Sequence, residues 1–196
     1  MKIFLTTLFF LSTLLTNGQK FKQLKEVLPK DTVKSEKAII YGLFVQRLGF
    51  SSGGFPQDIR IINIDTKEIY SLRVKETFKS TKENIFSFHI PPGDYVILNY
   101  WWTESKWYGG KTFTESIYKF YASSDIEGKL KSGEITDTDL EKYSLSVGPN
   151  TLNYVGTWYF DNELVDFGDD KNNLDEKLKK DYKKLQFDNA TSSIPH

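Results

Sequence analysis

The chain has 196 residues, with 26 basic and 26 acidic side chains, and it contains no cysteine. The balanced charge gives no basic excess for binding nucleic acid or an anionic membrane, and the missing cysteines exclude disulfides, thiolate metal sites and a cysteine nucleophile. A chain of this length normally forms one domain. Aromatic residues make up 15% of the composition, which directs the search for a binding surface towards them.

Residues 1–18 have the pattern of a signal peptide. A positive start at Lys2 is followed by an apolar run over 3–15 and by small residues up to Gly18. The run is too short to span a bilayer comfortably, so we expect cleavage between Gly18 and Gln19; an uncleaved membrane anchor is the alternative. No cysteine and no second long apolar run follow. We therefore expect an exported protein, periplasmic or extracellular, that is not a lipoprotein and has no transmembrane segment after signal removal.

A bacterial cell envelope suits this chain better than an animal extracellular space, where small domains usually depend on disulfides. Residues 19–37 are lysine-rich and predict a polar leader. A short amphipathic helix and a solvated leader with a few anchoring contacts both fit the spacing of its apolar residues. These are Phe21, Leu24, Val27 and Leu28.

Residues 38–160 have the sequence pattern of a β domain. The stretch 38–45 is apolar and β-branched, and Gly42 in its middle indicates a bulge or a close backbone approach. The stretches 59–64 and 69–74 alternate around four polar residues, which predicts a hairpin.

A second hairpin is predicted around the sequence PPGD. The strands 85–90 and 95–102 flank it, and Pro92-Gly93 suits the centre of a type II turn. The sequence GPNT, between 143–147 and 152–160, predicts a third hairpin. In its last strand, simple alternation puts five residues on one face, with Gly156 leaving a gap for a neighbouring aromatic ring. The five are Leu152, Tyr154, Gly156, Trp158 and Phe160.

Two helices are predicted outside these strands. Within the long excursion at 103–143, Thr136 or Thr138 with the acidic residues that follow predicts a short helix. In the segment 161–186 the apolar period changes to 3.6, and one stripe would pack the helix at 171–186 on an outer face or an end of the sheet. The stripe is Leu174, Leu178, Tyr182 and Leu185. Residues 187–196 form a polar tail.

Together these elements predict an all-β fold, an antiparallel β-sandwich of about seven strands with one C-terminal helix. The sequence resembles small exported bacterial β-sandwich domains in three places: an early Tyr-Gly strand, FHIPPGDYVI at 88–97, and LSVGPNTLNYVGTW at 145–158. These include transthyretin-like and carboxypeptidase-regulatory-like domains and related envelope domains of unknown function. The resemblance implies the fold, and it carries no catalytic residues to this sequence.

No motif for catalysis, metal or cofactor stands out. His89 is the only histidine before the last residue, whereas a zinc site needs three or four ligands. The acidic residues at 166–176 do not match an EF-hand loop and are better explained by helix capping and solvation. The Gly-rich stretches 51–54 and 107–110 lack the helix and Lys-Ser/Thr ending of a phosphate loop. We therefore predict no cofactor and no metal.

The aromatic cluster at 100–108 is the strongest pointer to a binding surface. Trp101 and Trp102 are neighbours on a strand and must face opposite sides. The outward one is either exposed or covered by the C-terminal helix through Leu178 and Tyr182. The predicted ligand-binding residues are Trp107 and Tyr108, beside two glycines in a loop.

The sequence thus predicts an exported, non-catalytic envelope module that binds a protein or other envelope ligand. One alternative is a carbohydrate-binding module that uses exposed aromatics. A flat, exposed line of Trp and Tyr side chains would favour it. The other alternative is a small envelope hydrolase with an unrecognised site. A polar cleft around His89 would favour it. Nucleic acid is not an expected partner.

Overall fold

A computed structural model describes residues 21–46, 57–74, 83–106, 109–116, 126–140, 143–160 and 166–195. The predicted signal peptide, the SSGG stretch and the predicted binding residues Trp107 and Tyr108 lie outside the described residues.

The described strands, in chain order, are β1 (Lys22–Gln23), β2 (Lys25–Glu26), β3 (Ala38–Gln46), β4 (Gln57–Asn63), β5 (Ile69–Val74), β6 (Glu83–Ile90), β7 (Gly93–Lys106), β8 (Gly109–Ser116), β9 (Ser144–Val147), β10 (Leu152–Phe160), β11 (Asp166–Gly168) and β12 (Thr191–Ser192). The helices are α1 (Ile126–Ser132), α2 (Asp137–Leu140) and α3 (Lys171–Asp181), and a 3₁₀ turn covers Phe187–Asn189.

The strands form two sheets. The first sheet has the order β1-β5-β4-β7-β8, with β9 also paired to β7, and the second has the order β11-β10-β3-β6-β2, with β12 also paired to β10. The all-β class with one C-terminal helix is confirmed. The described part holds twelve strands where about seven were expected, and three pairings are parallel: β1 with β5, and β10 with both β3 and β12.

The PPGD and GPNT turns each connect different sheets, so both hairpins predicted around them are wrong. Strand β6 belongs to the second sheet and β7 to the first, while β9 belongs to the first and β10 to the second. A turn sequence tells where the chain bends, but it does not tell which strand pairs with the next one. Gly93 has φ +146°, and the Tyr95 hydroxyl donates to the Pro91 carbonyl at 2.7 Å, which holds the first crossing in place. The hairpin predicted between β4 and β5 is confirmed.

One hydrophobic cluster contains residues of both sheets. Strands β4, β5, β7 and β9 contribute from the first sheet, and β3, β6 and β10 contribute from the second. Trp158 is fully buried there, its indole N–H donating to the Val155 carbonyl at 2.6 Å. Burial of this inner face supplies the main stabilisation of the fold, since apolar area removed from water is the dominant favourable term.

The C-terminal helix packs on the outer face of the second sheet, as its apolar stripe predicts. Leu174, Leu178 and Leu185 are buried, and Tyr182 is half-buried against the same cluster as Tyr41. The helix ends at Asp181, before the predicted residue 186. Asp175, on the buried side of the helix, accepts a hydrogen bond from the Tyr41 hydroxyl at 2.6 Å. Its carboxylate also forms an ion pair with Lys171 at 2.6 Å.

A bulge in β10 changes which residues share a face. The register against β3 shifts between Tyr154 and Thr157, where Gly156 has φ +93°. Leu152 and Tyr154 therefore face the C-terminal helix while Trp158 faces the other sheet, so the single face predicted for this strand is wrong.

The space beside Gly156 is occupied by Ile194 and the Gly168 carbonyl and not by an aromatic ring. On the neighbouring strand, a Cβ at Gly42 would lie 2.5 Å from the Gly156 carbonyl oxygen. This confirms the close backbone approach predicted at Gly42.

The leader is extended, so the helical alternative is wrong. Strand β1 pairs with β5 of the first sheet, and β2 pairs with β6 of the second. Leu24, between them, is buried in the shared core. The leader therefore spans the side where the two sheets would otherwise lie open.

The predicted short helix in the excursion is confirmed as α2. The Thr136 hydroxyl accepts from the Asp139 backbone N–H at 3.3 Å, and the Asp139 carboxylate accepts from the Thr136 backbone N–H at 3.0 Å. This reciprocal pair is a capping box built with aspartate.

Candidate functional site

Of the cluster residues whose side chains the structure describes, Trp101 faces outwards. It pairs with Asp58 on β4, whereas the next residue of that strand, Ile59, belongs to the inter-sheet core. Tyr100 faces the core. The side chain of Trp102 is outside the described part, as are Trp107 and Tyr108, so the roles predicted for those two residues stay predictions.

A bulge in β7 sets the direction of Trp101. Arg60 pairs with Asn99 and Ile61 pairs with Ile97, which leaves Leu98 as an extra residue on β7. Strict alternation from Ile97 would turn Trp101 towards the core. The extra residue reverses the alternation, as bulges commonly do beside functional sites.

The C-terminal helix does not cover Trp101. Leu178 and Tyr182, the residues expected to cover an outward tryptophan, lie on the second sheet with Tyr41. Trp101 lies on the first sheet and is half-buried. The covering alternative is therefore wrong for Trp101.

The indole ring of Trp101 is held by two neighbours. Its N–H donates to the Asn99 side-chain oxygen at 3.0 Å, and Asn99 is 1% exposed. The guanidinium carbon of Arg60 lies 4.6 Å from the Trp101 ring centroid and 3.8 Å from the ring centroid of Phe21. Cation–π contacts of this kind strengthen when they are desolvated, so the ring is presented in a fixed orientation.

Arg60 is an unusual residue for a sheet surface, because only 6% of it is exposed. Its Nε has no hydrogen-bond partner in the described part. Burial lowers the pKa of the Arg60 guanidinium, and the nearby carboxylate of Asp58 opposes that shift. The unpaired Nε is itself buried, which costs free energy because buried polar groups are normally paired.

Asp58 links Arg60 to a second cation. Arg73 donates to both carboxylate oxygens of Asp58, at 3.2 and 3.4 Å, and the Ser71 hydroxyl donates at 3.0 Å. We call this outer-face area the Arg60–Trp101 surface. It comprises Phe21, Asp58, Arg60, Ser71, Arg73, Asn99 and Trp101.

The other half of the same outer face is apolar and covered. Ile135 and Leu140, from the excursion, pack on Ile62 and Val96 of the sheet. A cleft of about 600 Å³ lies at these helices, and the ion pair between Lys67 and Asp137 at 2.6 Å is on its lining. In the described part, the residues of the excursion therefore pack on the apolar half of the outer face. The polar half beside it is the Arg60–Trp101 surface.

His89 has an acidic partner that the sequence could not nominate. Its Nε2 lies 2.9 Å from Asp31, which also accepts the backbone N–H of Leu28 at 3.0 Å. Hydrogen bonding to His89, followed by that to Leu28, lowers the pKa of Asp31. In the described residues no serine or threonine hydroxyl is bonded to His89. The pair ties the leader to β6.

The acidic residues before α3 are used for local structure. Asp169 accepts the backbone N–H of Lys171 at 3.0 Å, and Asp170 accepts the side-chain amide of Asn173 at 2.5 Å. Within the described ranges there is no group of three or more histidine or acidic side chains that could hold a metal ion. Nor does any helix in those ranges have the length and apolarity to cross a membrane.

Arg60 is the residue of this candidate site that the sequence analysis missed. The available signal was a lone charge in the otherwise apolar strand IRIINI, at 59–64. An arginine on the solvent face of a strand is ordinary, so the pattern alone does not distinguish a buried cation from an exposed one.

Comparison with known proteins adds one weak likeness. No protein-family model matches the chain, and no curated protein matches it. Among solved structures, the chain is similar to a leucine-rich repeat protein from Bacteroides thetaiotaomicron, with 12% sequence identity and a TM-score of 0.37. The likeness covers 76% of this chain and 16% of that one. The resemblance to transthyretin-like domains stays a prediction.

Proposed function

We propose that this chain is an exported, non-catalytic module of the bacterial envelope that binds a protein partner through the Arg60–Trp101 surface. The observation that carries the proposal is a half-buried tryptophan on the outer face of a sheet, held by Asn99 and by the buried guanidinium of Arg60. Tryptophan and arginine are the residue types that dominate the binding energy of protein interfaces.

Preorganisation supports this assignment. A side chain that is already immobile loses little conformational entropy when a partner binds. Trp101 is held from two directions, and Asp58 is held by Ser71 and Arg73. A partner that offers an apolar group to Trp101 would meet a side chain that is already held in place.

Export is supported by the signal-peptide pattern at 1–18 and by a chain with no cysteine. A non-catalytic role is supported by the contacts of His89, which holds Asp31 of the leader. Asp31 is itself occupied by the Leu28 backbone N–H, and this suits a structural pair better than a catalytic one.

The test is capture of envelope proteins by the protein recovered after export, compared with a Trp101→Ala variant. Loss of a central tryptophan is expected to weaken partner binding by about 2 kcal/mol or more. Ile85→Ala is the matched control, because Ile85 is an apolar residue that is 45% exposed on the second sheet. Both variants should melt close to the parent.

Undiminished capture by Trp101→Ala would refute the assignment to this surface. A Trp107→Ala, Tyr108→Ala double variant then tests whether the binding residues predicted from the sequence carry the partner instead. Binding to a glycan array that is lost in Trp101→Ala, without any captured protein, would favour the carbohydrate-binding alternative.

A further inference from the structure

A pocket of about 320 Å³ lies on the second sheet, away from the Arg60–Trp101 surface. Three separate segments form it: the leader at 32–33, the GPNT crossing at 150–152, and the chain after α3 at 184–189. Its volume is at the lower end of the range for small-molecule sites. It therefore suits a single ring better than a chain of rings.

The pocket has an apolar side. Leu152 and Leu185 are 5% and 7% exposed, and Val33 packs on the same cluster from the leader. These side chains belong to the cluster under α3, so they form a rigid surface. Such a surface suits the C–H face of a pyranose ring.

The side-chain amide and ammonium groups of the pocket offer more donors than acceptors. The Asn189 side-chain N–H donates to the Gln186 side-chain oxygen at 2.9 Å, which leaves the amide N–H groups of Gln186 and the oxygen of Asn189. The Asn150 side-chain oxygen accepts the Glu36 backbone N–H at 2.7 Å, which leaves the amide N–H groups of Asn150. Neighbouring donors and one acceptor match adjacent hydroxyl groups, each of which both donates and accepts.

Lys184 adds a positive charge to the same lining. It is exposed and has no ion pair within the described residues. Two amide donors and one ammonium group against a single amide oxygen favour a ligand rich in acceptors, and the charge favours an anion.

We propose that this pocket is a binding site for a monosaccharide-sized pyranose that carries one anionic group, a carboxylate or a phosphate. Lys184 pairs with the anionic group, Gln186 and Asn189 bond adjacent hydroxyls, and Leu152 and Leu185 contact the ring. The site is separate from the Arg60–Trp101 surface, and the proposal does not depend on the partner proposed there.

The test is titration of the protein recovered after export with glucuronate, glucose 6-phosphate and glucose, followed by calorimetry and by amide chemical shifts. We expect the anionic sugars to bind and glucose to bind at least tenfold more weakly. Lys184→Gln should weaken the anionic sugars about tenfold or more, because a charge-assisted hydrogen bond is lost. Lys180→Gln is the matched control, since Lys180 is an exposed lysine on α3 that is not on the lining.

Binding of glucuronate alone or glucose 6-phosphate alone supports the site and identifies its anion. Absence of binding by both anionic sugars overturns the proposal. If glucose binds as tightly as the anionic sugars, the role of Lys184 is overturned. The same holds if Lys180→Gln weakens the anionic sugars as much as Lys184→Gln does. Gln186→Ala provides a second check that does not change charge: it should weaken all bound sugars while leaving the melting temperature unchanged, and unaltered affinity in that variant counts against the pocket.

Discussion

The hydrogen bond from Tyr41 to Asp175 attaches the C-terminal helix to the second sheet, and Tyr41→Phe tests its contribution. Asp175 is 6% exposed, and its two oxygens are bonded to Tyr41 and Lys171 at 2.6 Å each. Removing one hydroxyl leaves a buried carboxylate oxygen without that donor. A hydrogen bond to a charged group contributes about 1.5–3 kcal/mol, and for a domain of this size that loss lowers the melting temperature by about 3–12 °C.

The matched control is Tyr182→Phe. Tyr182 is half-buried in the same cluster, but its hydroxyl has no hydrogen bond to the residues that the structure describes. We expect this second change to alter the free energy of unfolding by no more than about 0.5 kcal/mol. Urea denaturation of the parent and both variants measures the difference. A Tyr41→Phe variant as stable as Tyr182→Phe would refute the idea that Asp175 depends on Tyr41.

Two further predictions concern the PPGD crossing between β6 and β7 and the leader. Gly93→Ala should lower the free energy of unfolding by about 1 kcal/mol or more in thermal or urea denaturation, because φ is +146° and a Cβ would collide with the side chain of Asn63; an unchanged melting temperature would contradict that conformation. The pKa of Asp31 is lowered by His89 in the folded state, so this pair stabilises the protein above pH 3.8, and the contribution is lost as the pH falls through the folded value. Asp31→Asn should therefore reduce the acid dependence of the unfolding free energy, and identical acid profiles for parent and variant would rule out the contribution.

Local signals in the sequence predicted local structure well. The stripe at Leu174 and Leu178 gave the helix and the face that it buries, and the residues around Thr136 gave a capped turn. Each depends on side chains within a few positions of one another. The β4–β5 hairpin succeeded for the same reason, because its partners are separated by a short polar turn.

Pairing between distant segments was not predictable in the same way. After Ile90 the chain crosses to the other sheet, and nothing in PPGD distinguishes that crossing from a hairpin. Strand β10 pairs in parallel with β3, more than a hundred residues earlier. The sequence pattern of a strand does not tell which strand it pairs with.

The candidate site was only half predictable for a related reason. Alternation requires that Trp101 and Trp102 face opposite sides, yet the choice between them depends on the extra residue at Leu98. A one-residue insertion reverses every side chain that follows. Arg60 is buried because Phe21 and Trp101 reach it from segments that are distant in the chain, which no local pattern reveals.

Among the described residues, the leader contributes to both proposed sites. Phe21 contacts Arg60 on the first sheet, while Thr32 and Val33 line the pocket on the second. Between these points the leader is attached by two strands of two residues each, by Leu24 in the core and by the Asp31–His89 pair. Its displacement would alter both sites together, whereas Trp101→Ala and Lys184→Gln each alter one. Binding experiments with these two variants therefore separate a local contact from a rearrangement of the leader: each substitution should weaken its own ligand and leave the other ligand's affinity unchanged.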